Sequence, residues 1–237
     1  EYEQNKKYYI RISKYYIMKI LRYNNINFYN NLNKILDKRN STPNKKLEES
    51  VKKIINAVKK KGDQALIKYS KKFDNIKTTK TNFKLSNALI NKKIKVDKNV
   101  LDSFKKAIKN INKFHKKQLP KDIIQNENNI NLKTRWKAID SVGLYIPGGN
   151  AFYPSSLIMN VVPAKIAGVK RIVCVTPPTK KLNPYLLVLL KELKIKETYF
   201  LGGAQAIAAL AIGTKNIKPV NKIFGPGNSY VASAKKH

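Results

Sequence analysis

The sequence predicts an α/β protein in which a parallel sheet with crossover helices follows an incomplete, helix-rich α/β portion. Three observations indicate this class. Apolar residues recur at helical spacing between residues 46 and 118. Strand-like apolar runs then alternate with helix-like segments at intervals of roughly 24 to 29 residues, as βαβ units do. Within this second part, three glycine turns each join a strand-like run to a helix-like run.

Residues 1–39 are interpreted as an N-terminal extension and arm. The chain opens without Met, and Met18 begins "MKILRYNNINFYNN", a plausible natural start. Residues 1–17 would then be upstream translated sequence, and an ordinary N-terminal extension is the alternative. At the other end, "NSYVASAKKH" has a helical pattern without a glycine or asparagine cap. We therefore expect the chain to be a fragment.

Residues 40–140 are predicted to be the first part of a discontinuous α/β domain. One apolar stripe at helical spacing comprises Leu47, Val51, Ile54, Ile55 and Val58. Gly62 is expected to end this helix, and Asp63 to cap the next one, "QALIKYSKKF". Asp97 is expected to cap a longer helix whose stripe comprises Leu101, Phe104, Ile108, Ile111 and Phe114–His115. A polar joint near 126–131 closes this part.

Residues 141–237 are predicted to be a Rossmann-like domain, truncated at its C-terminal end. The expected strands are Val142–Ile146, Arg171–Thr176, Thr198–Leu201 and Lys222–Phe224. The expected helices are Ser155–Ala167, Asn183–Leu193 and Ala204–Ile212, with Asn183 as N-cap and Pro184 at the first helical position. Pro163 is expected to kink or split the first helix. Short crossovers of this kind favour a parallel sheet.

The formal charge of +35 suggests a polyanion as partner, but the kind of basic residue argues against it. The chain has 44 lysines and five arginines, whereas nucleic-acid readers rely on the planar fork of arginine. The abundant residues Lys, Asn, Ile and Tyr all have A/T-rich codons, so composition bias is the favoured explanation. A lysine-rich nucleic-acid-binding protein remains the alternative.

Cysteine and hydropathy indicate a cytoplasmic protein without a membrane segment. Cys174 is the only cysteine, which excludes an internal disulfide framework and suits a reducing compartment. No apolar stretch reaches the roughly 18 residues that span a bilayer, and the N-terminus lacks the apolar core of a signal peptide. Cys174 itself, inside "RIVCV", is expected to be a small buried apolar residue.

The glycine turns predict a nucleotide crevice, with plain strand-to-helix turns as an equally weighted alternative. In open parallel sheets, ligands bind beyond the carboxyl ends of the strands, where helix N-termini favour phosphate. The usual dinucleotide fingerprint is absent, because Tyr230 stands where the third glycine after Gly225 and Gly227 belongs. The position of its acidic residue, about 20 residues further on, lies beyond residue 237.

Four segments together resemble the histidinol dehydrogenase family: "VGLYIPGG", "YPSSLIMNVVPAKIAGV", "LGGAQAIAALAIGT" and "KIFGPGN". Weaker echoes occur in "KKGDQALIKYSKKFD" and "NINKFHKKQ", so the resemblance covers roughly residues 18–237. The family's full chain is nearly twice as long. The departures are Asn150 and Phe152, in a variable part of the first turn, and the unusual "TRWKAIDS" just before it.

The resemblance implies oxidation of L-histidinol to L-histidine through the aldehyde, with two NAD+ in succession. It places the NAD contacts on Tyr145, Gln205 and Asn228. The family's zinc ligands and glutamate–histidine pair lie in the half of the chain that is absent, so no catalytic or metal-binding residue is assigned. His115, His237 and one cysteine do not suffice for a three-ligand zinc site. The resemblance also implies a homodimer.

Other interpretations of these residues stay open. The alternative for Tyr145 is a core tyrosine at a strand end, for Gln205 a solvated residue at a helix start, and for Asn228 an N-cap. His115 is expected to pack at the edge of its apolar stripe rather than to act in catalysis. A non-catalytic remnant of the fold is the second alternative function, beside the nucleic-acid-binding protein.

Overall fold

The protein is described by a computed structural model that covers residues 21, 23–40, 45–74, 83–148, 152–179 and 181–237. The chain forms two compact units, residues 1–45 and 46–237. The described part of the first unit contains helix α1, Phe28–Asn40. Met18, residues 1–17 and Asn150, which the sequence analysis singled out, lie outside the described residues.

The remaining elements have the following bounds. The helices are α2 (Lys45–Lys61), α3 (Asp63–Asp74), α4 (Asn87–Asn91), α5 (Lys98–Lys116), α6 (Pro154–Ile166), α7 (Pro184–Glu192), α8 (Gly203–Ile212) and α9 (Ser229–Lys236). The strands are β1 (Ile124–Glu127), β2 (Ile130–Lys133), β3 (Ser141–Tyr145), β4 (Arg171–Thr176), β5 (Glu197–Phe200) and β6 (Lys222–Phe224).

Strands β3 to β6 form one parallel sheet in the order β5-β4-β3-β6. Strand β3 lies in the middle, and its Leu144 pairs with Cys174 of β4 and with Phe224 of β6. The predicted strands and helices of residues 141–237 all occur, within one residue at their ends. They were predictable because buried parallel strands are continuous apolar runs.

The sheet is buried on both faces. Alternate residues point to opposite sides of a strand, so each strand contributes to two cores. The first face carries Tyr145, Val173 and Val175 and packs against helices α2, α3, α8 and α9. The second face carries Leu144 and Cys174 and packs against α6 and α7, with the buried Ile90 of α4 and half-buried side chains of α5 added to it. The expectation of a buried apolar Cys174 is confirmed.

Helices α2 and α3 share the first core with the sheet. Val51, Ile54 and Val58 are buried there, as the stripe in the sequence predicts. Gly62 ends α2 with a φ of +50°. Asp63 was expected to cap α3, but it is instead the first helical residue, where its Oδ2 accepts a hydrogen bond of 2.8 Å from Asn216 Nδ2. The boundary at residue 140 between the two predicted domains stays a prediction.

Two further expectations about helices need correction. Helix α6 is not split in two, because Pro163 lies in its last turn and removes only the bond to the carbonyl of Met159; the expected kink stays a prediction. Asp97 does cap α5, accepting from the N–H groups of Asn99 and Val100. The predicted stripe of α5, however, is only half-buried, and Phe114 at its end is 61% exposed.

The expected polar joint near 126–131 is a β-hairpin instead. Strands β1 and β2 pair antiparallel, with Glu127 opposite Ile130. Asn128 and Asn129 form the turn with φ of +50° and +65°, and asparagine tolerates this left-handed conformation well. All the strand residues are exposed, so no apolar alternation marked the strands in the sequence.

A charged network ties the amino ends of the strands together. The guanidinium of Arg171, the first residue of β4, donates to both carboxylate oxygens of Glu197, the first residue of β5, at 2.9 and 2.8 Å. The same guanidinium donates to the carbonyls of Lys218 and Pro219, at 3.0 and 2.8 Å, in the loop before β6.

In the described part of the chain, no helix is long and apolar enough to cross a bilayer.

Candidate functional site

A cleft of about 770 Å³ opens on the first face, at the carboxyl ends of the parallel strands. Its walls are the turns that follow β3, β4, β5 and β6, together with Ile54 in the middle of α2, the C-terminal end of α3 and the first turn of α6. All three glycine turns of the sequence therefore meet at one place. Parallel topology explains this, because successive strands present the same ends to the same edge.

The three residues expected to contact NAD all line this cleft. Tyr145 ends β3, Gln205 lies in the first turn of α8, and Asn228 immediately precedes α9. They are 60 and 23 positions apart in the chain, so only the fold brings them together. Their convergence shows a common site but does not by itself identify a ligand.

Gln205 is the most informative of the three. Its side chain is only 1% exposed, yet neither the amide nitrogen nor the amide oxygen has a hydrogen-bond partner. A buried amide without partners costs about 1 to 3 kcal/mol, so such groups are rare unless a ligand completes them. The expectation of a plain solvated glutamine does not hold. A glutamine inside the apolar "AQAIAALA" was the signal in the sequence.

The amide of Gln205 lies against the start of helix α8. Gly203 has a φ of +63°, and an added Cβ would lie 2.8 Å from Gln205 Oε1. The backbone conformation therefore favours glycine, and a larger residue would also displace the Gln205 amide. The N-cap residue Gly202 provides no side-chain cap, so the helix N-terminus favours an anionic or hydrogen-bond-accepting ligand.

Tyr145 connects this helix start to the sheet. Its hydroxyl accepts a hydrogen bond of 3.1 Å from the N–H of Gly203, and the residue is 4% exposed. Burial raises the pKa of Tyr145; the hydrogen bond from Gly203 lowers it and the nearby Asp74 carboxylate raises it further. The hydroxyl therefore keeps its proton at neutral pH and can donate it into the cleft. Tyr145 is both a core residue and a wall of the site.

Asn228 and Gly225 build the third wall. The side chain of Asn228 accepts a hydrogen bond of 3.1 Å from Val231 N, so the N-cap interpretation is correct. Its amide group still lines the cleft and retains its donor. Gly225 has a φ of +109°, and an added Cβ would clash with the carbonyl oxygen of Tyr145. The turn after β6 is thus packed directly on the end of β3.

Asp74 is a site residue that the sequence analysis did not identify. It ends helix α3, lines the cleft, and its Oδ2 is buried without a partner. Burial raises the pKa of Asp74 to about 6. The residue closes the segment "KKGDQALIKYSKKFD" quoted for the resemblance, but nothing local indicated that α3 points at the sheet edge.

Exposed aromatic rings surround the cleft. Phe73, Tyr153 and Tyr230 line it and are 50%, 47% and 41% exposed. Aromatic faces of this kind can stack on a planar ring of a ligand.

A second hollow, of about 560 Å³, lies at β3 and α6, but its lining is almost wholly apolar, with Lys137 and Asn160 as exceptions. The cleft on the first face is therefore the better candidate site.

Residues outside the cleft fit the structural interpretations. His115 is half-buried on α5, with its ring edge-on to Phe114 at 5.4 Å. Burial raises the pKa of Cys174 to about 12, so its thiol is not a nucleophile at neutral pH. Among the described residues, no three side chains of His, Cys, Asp or Glu are grouped to hold a metal ion. These residues alone do not fit a zinc site.

A family model, sequence relatives and a solved structure were compared with this chain, and all three indicate one family. Residues 37–237 match the family model described as histidinol dehydrogenase. Histidinol dehydrogenase of Carboxydothermus hydrogenoformans is 46% identical over 211 residues, covering 87% of this chain and 50% of that protein. The Agrobacterium fabrum enzyme is 47% identical over 190 residues, covering 79% and 44%.

A solved structure agrees with these sequences. The crystal structure of histidinol dehydrogenase from Elizabethkingia anophelis superposes with a TM-score of 0.75 at 36% identity, covering 80% of this chain and 44% of that one. The chain thus spans about half the length of the relatives it matches. The family model nevertheless covers nearly all of the described residues. The chain therefore belongs to the histidinol dehydrogenase family.

Proposed function

We propose that these residues form the NAD+-binding part of an enzyme that oxidises L-histidinol to L-histidine through the aldehyde. The observation that carries the proposal is the buried, unpartnered amide of Gln205 in a cleft at the carboxyl ends of parallel strands. Family membership supports the reaction, and the cleft supports the cofactor. When bound, NAD+ supplies the oxidant for each of the two steps.

The chain's own residues bind and orient the cofactor. Gln205 offers a donor and an acceptor to a ribose or phosphate, and Asn228 offers an amide from the opposite wall. Tyr145 positions the N-terminus of α8 through its bond to Gly203, and its hydroxyl still has a proton to donate to a ligand. Buried surroundings strengthen such hydrogen bonds, since little water competes for them. No described residue in this arrangement acts on the substrate.

The proposal extends to groups that these residues do not supply. A zinc ion would hold the substrate, with its ligands and a glutamate–histidine pair in the part of the family's chain beyond the matched region. The protein would work as a homodimer in the cytoplasm, with L-histidinol as its substrate. It would bind no specific nucleic acid and no membrane. Complementation of a histidine auxotroph by the full-length protein distinguishes an active enzyme from a non-catalytic remnant.

The cofactor proposal is tested by Gln205→Met in the full-length protein, with NAD+ affinity measured by calorimetry. Methionine keeps an unbranched side chain of similar length and removes both polar atoms. We expect NAD+ affinity to fall by about 2- to 13-fold for each lost hydrogen bond. We also expect the ligand-free protein to become more stable by about 1 to 3 kcal/mol, because an unsatisfied buried amide is removed.

The matched control is Gln125→Met on the exposed hairpin, which should change neither quantity. A gain of stability together with a loss of NAD+ affinity in Gln205→Met distinguishes a binding residue from a structural one, which would not lose affinity while gaining stability. A protein that binds no NAD+ as wild type, or a Gln205→Met variant with unchanged affinity, contradicts the proposal.

A further inference from the structure

Residues 141–237 give the cleft no acidic residue of the kind that dinucleotide-binding sheets ordinarily take from their own sequence. In the usual fingerprint, an Asp or Glu about 20 residues after the glycine turn accepts a hydrogen bond from the ribose 2′-hydroxyl. Between residues 141 and 237 the only carboxylates are Glu192 and Glu197. Glu197 is bound to Arg171 at the amino ends of the strands, opposite the cleft. Neither residue lines the cleft.

The fold supplies a carboxylate from elsewhere in the chain. Asp74 comes from α3, which precedes the sheet by about 70 residues, and it lines the same cleft as Gln205 and Asn228. Its Oδ2 is buried without a hydrogen-bond partner. The described residues give the cleft no cationic side chain that would neutralise Asp74. A carboxylate without a hydrogen-bond donor or a neutralising cation can accept a hydrogen bond from a hydroxyl group, and it repels a phosphate.

Resting on the proposed function, we propose that Asp74 is the residue that selects NAD+ over NADP+. Its carboxylate accepts a hydrogen bond from a ribose hydroxyl of the adenosine half. The 2′-phosphate of NADP+ would place negative charge against the same unneutralised carboxylate in a site partly shielded from water, where charges interact strongly. Gln205, unpartnered in the same cleft, supplies the neutral hydrogen bonds that both cofactors share.

A second position for Asp74 predicts a different result. If the carboxylate instead faced the positively charged nicotinamide ring, it would favour NAD+ and NADP+ equally, because both carry that ring. A purely structural Asp74 would favour neither. The ratio of the two affinities therefore separates the ribose role from the other roles, whereas the affinity for NAD+ alone does not.

The test compares wild type, Asp74→Asn and Asp74→Ser in the full-length protein by calorimetric titration with NAD+ and with NADP+ at pH 8. At that pH the carboxyl of Asp74 is ionised, because its pKa is about 6. We expect wild type to prefer NAD+ and both variants to lower the NAD+/NADP+ affinity ratio by about tenfold or more, the range of a charge-assisted hydrogen bond. Asp102→Asn, on the exposed face of α5, is the matched control and should leave the ratio unchanged.

Each outcome has one meaning. A lowered ratio in both variants supports the ribose role. Equal losses for the two cofactors, or an unchanged ratio in folded variants, overturn it while leaving NAD+ binding by the cleft intact. If wild type binds neither cofactor, the proposed function itself fails, and that result is distinguishable because it appears before any variant is compared. Thermal melts of the ligand-free variants confirm that each is folded.

Discussion

The two faces of the sheet are both buried, yet they differ in what they leave unsatisfied. Six described residues have a buried side-chain oxygen or nitrogen without a partner. Thr198 lies within the sheet, beside Cys174 of the second face. The other five lie on the helices of the first face and are Asp63, Ser70, Asp74, Gln205 and Ser233.

This difference separates the two tasks of the sheet. The second face is packed by leucines, isoleucines and valines of α6 and α7, which contribute stability and have no polar groups to offer. The first face carries the cleft and keeps polar groups whose burial lowers stability. A ligand that satisfies Asp74 and Gln205, the two of these residues that line the cleft, would restore part of that stability. The candidate site thus lies on the face whose helices keep more unsatisfied buried polar groups.

The largest expected effect lies on the second face. Leu189 of α7 is 0% exposed, so Leu189→Ala should lower the free energy of unfolding by about 2 to 5 kcal/mol through lost burial and a residual cavity. NAD+ affinity of the folded variant should not change. Chemical denaturation and calorimetry measure the two quantities. The control is Leu132→Ala on the hairpin, 60% exposed, with an expected change below about 0.5 kcal/mol. A clear loss of NAD+ affinity in Leu189→Ala would remove the distinction between the faces.

A smaller, mixed effect is expected at Asn228, which both caps α9 and lines the cleft. Asn228→Ala should lower stability by about 1 kcal/mol and weaken NAD+ by about 2- to 13-fold. Asn228→Ser keeps a capping oxygen but loses the amide, so it should retain most of the stability and still lose affinity. If serine restores affinity as well as stability, Asn228 acts only as a cap.

The smallest expected effect is a gain of stability in Asp74→Asn at pH 7. The pKa of Asp74 is raised by burial to about 6, above its unfolded value of 3.8, so the ionised carboxylate destabilises the folded state. This penalty is complete above pH 6 and disappears as pH falls from about 6 to 4. Asparagine removes it, by no more than about 1 kcal/mol because water screens a half-exposed group. Melting temperatures of wild type and variant between pH 4 and 8 should converge at the acidic end. A gap that widens on acidification would contradict this sign.

The sequence predicted the sheet well because its signals are local. Apolar runs, glycine turns and the caps Asp97, Asn183 and Asn228 each depend on a few neighbouring residues, and the structure contains all of them. The hairpin was missed because its strands are exposed on both sides, so burial imposed no pattern on them.

Asp74 could not be assigned from the sequence, because its role depends on how α3 packs against the sheet. The burial of Gln205 had the same long-range origin, although the resemblance had singled out the residue. The NAD contacts of Tyr145, Gln205 and Asn228 remain predictions, since their place in one cleft does not identify what binds there.

The two ends of the sheet also differ from each other. The cluster around Arg171 lies at the amino ends of the strands, whereas the cleft lies at their carboxyl ends. One guanidinium joins β4, β5 and the loop before β6 through Glu197 and two carbonyls, all at the amino ends of the strands. The side chains of this ion pair are 28% and 20% exposed, so dissolved ions weaken it less than a surface pair. These contacts resist sliding of β4, β5 and the loop before β6 against one another at the end of the sheet that lies opposite the cleft.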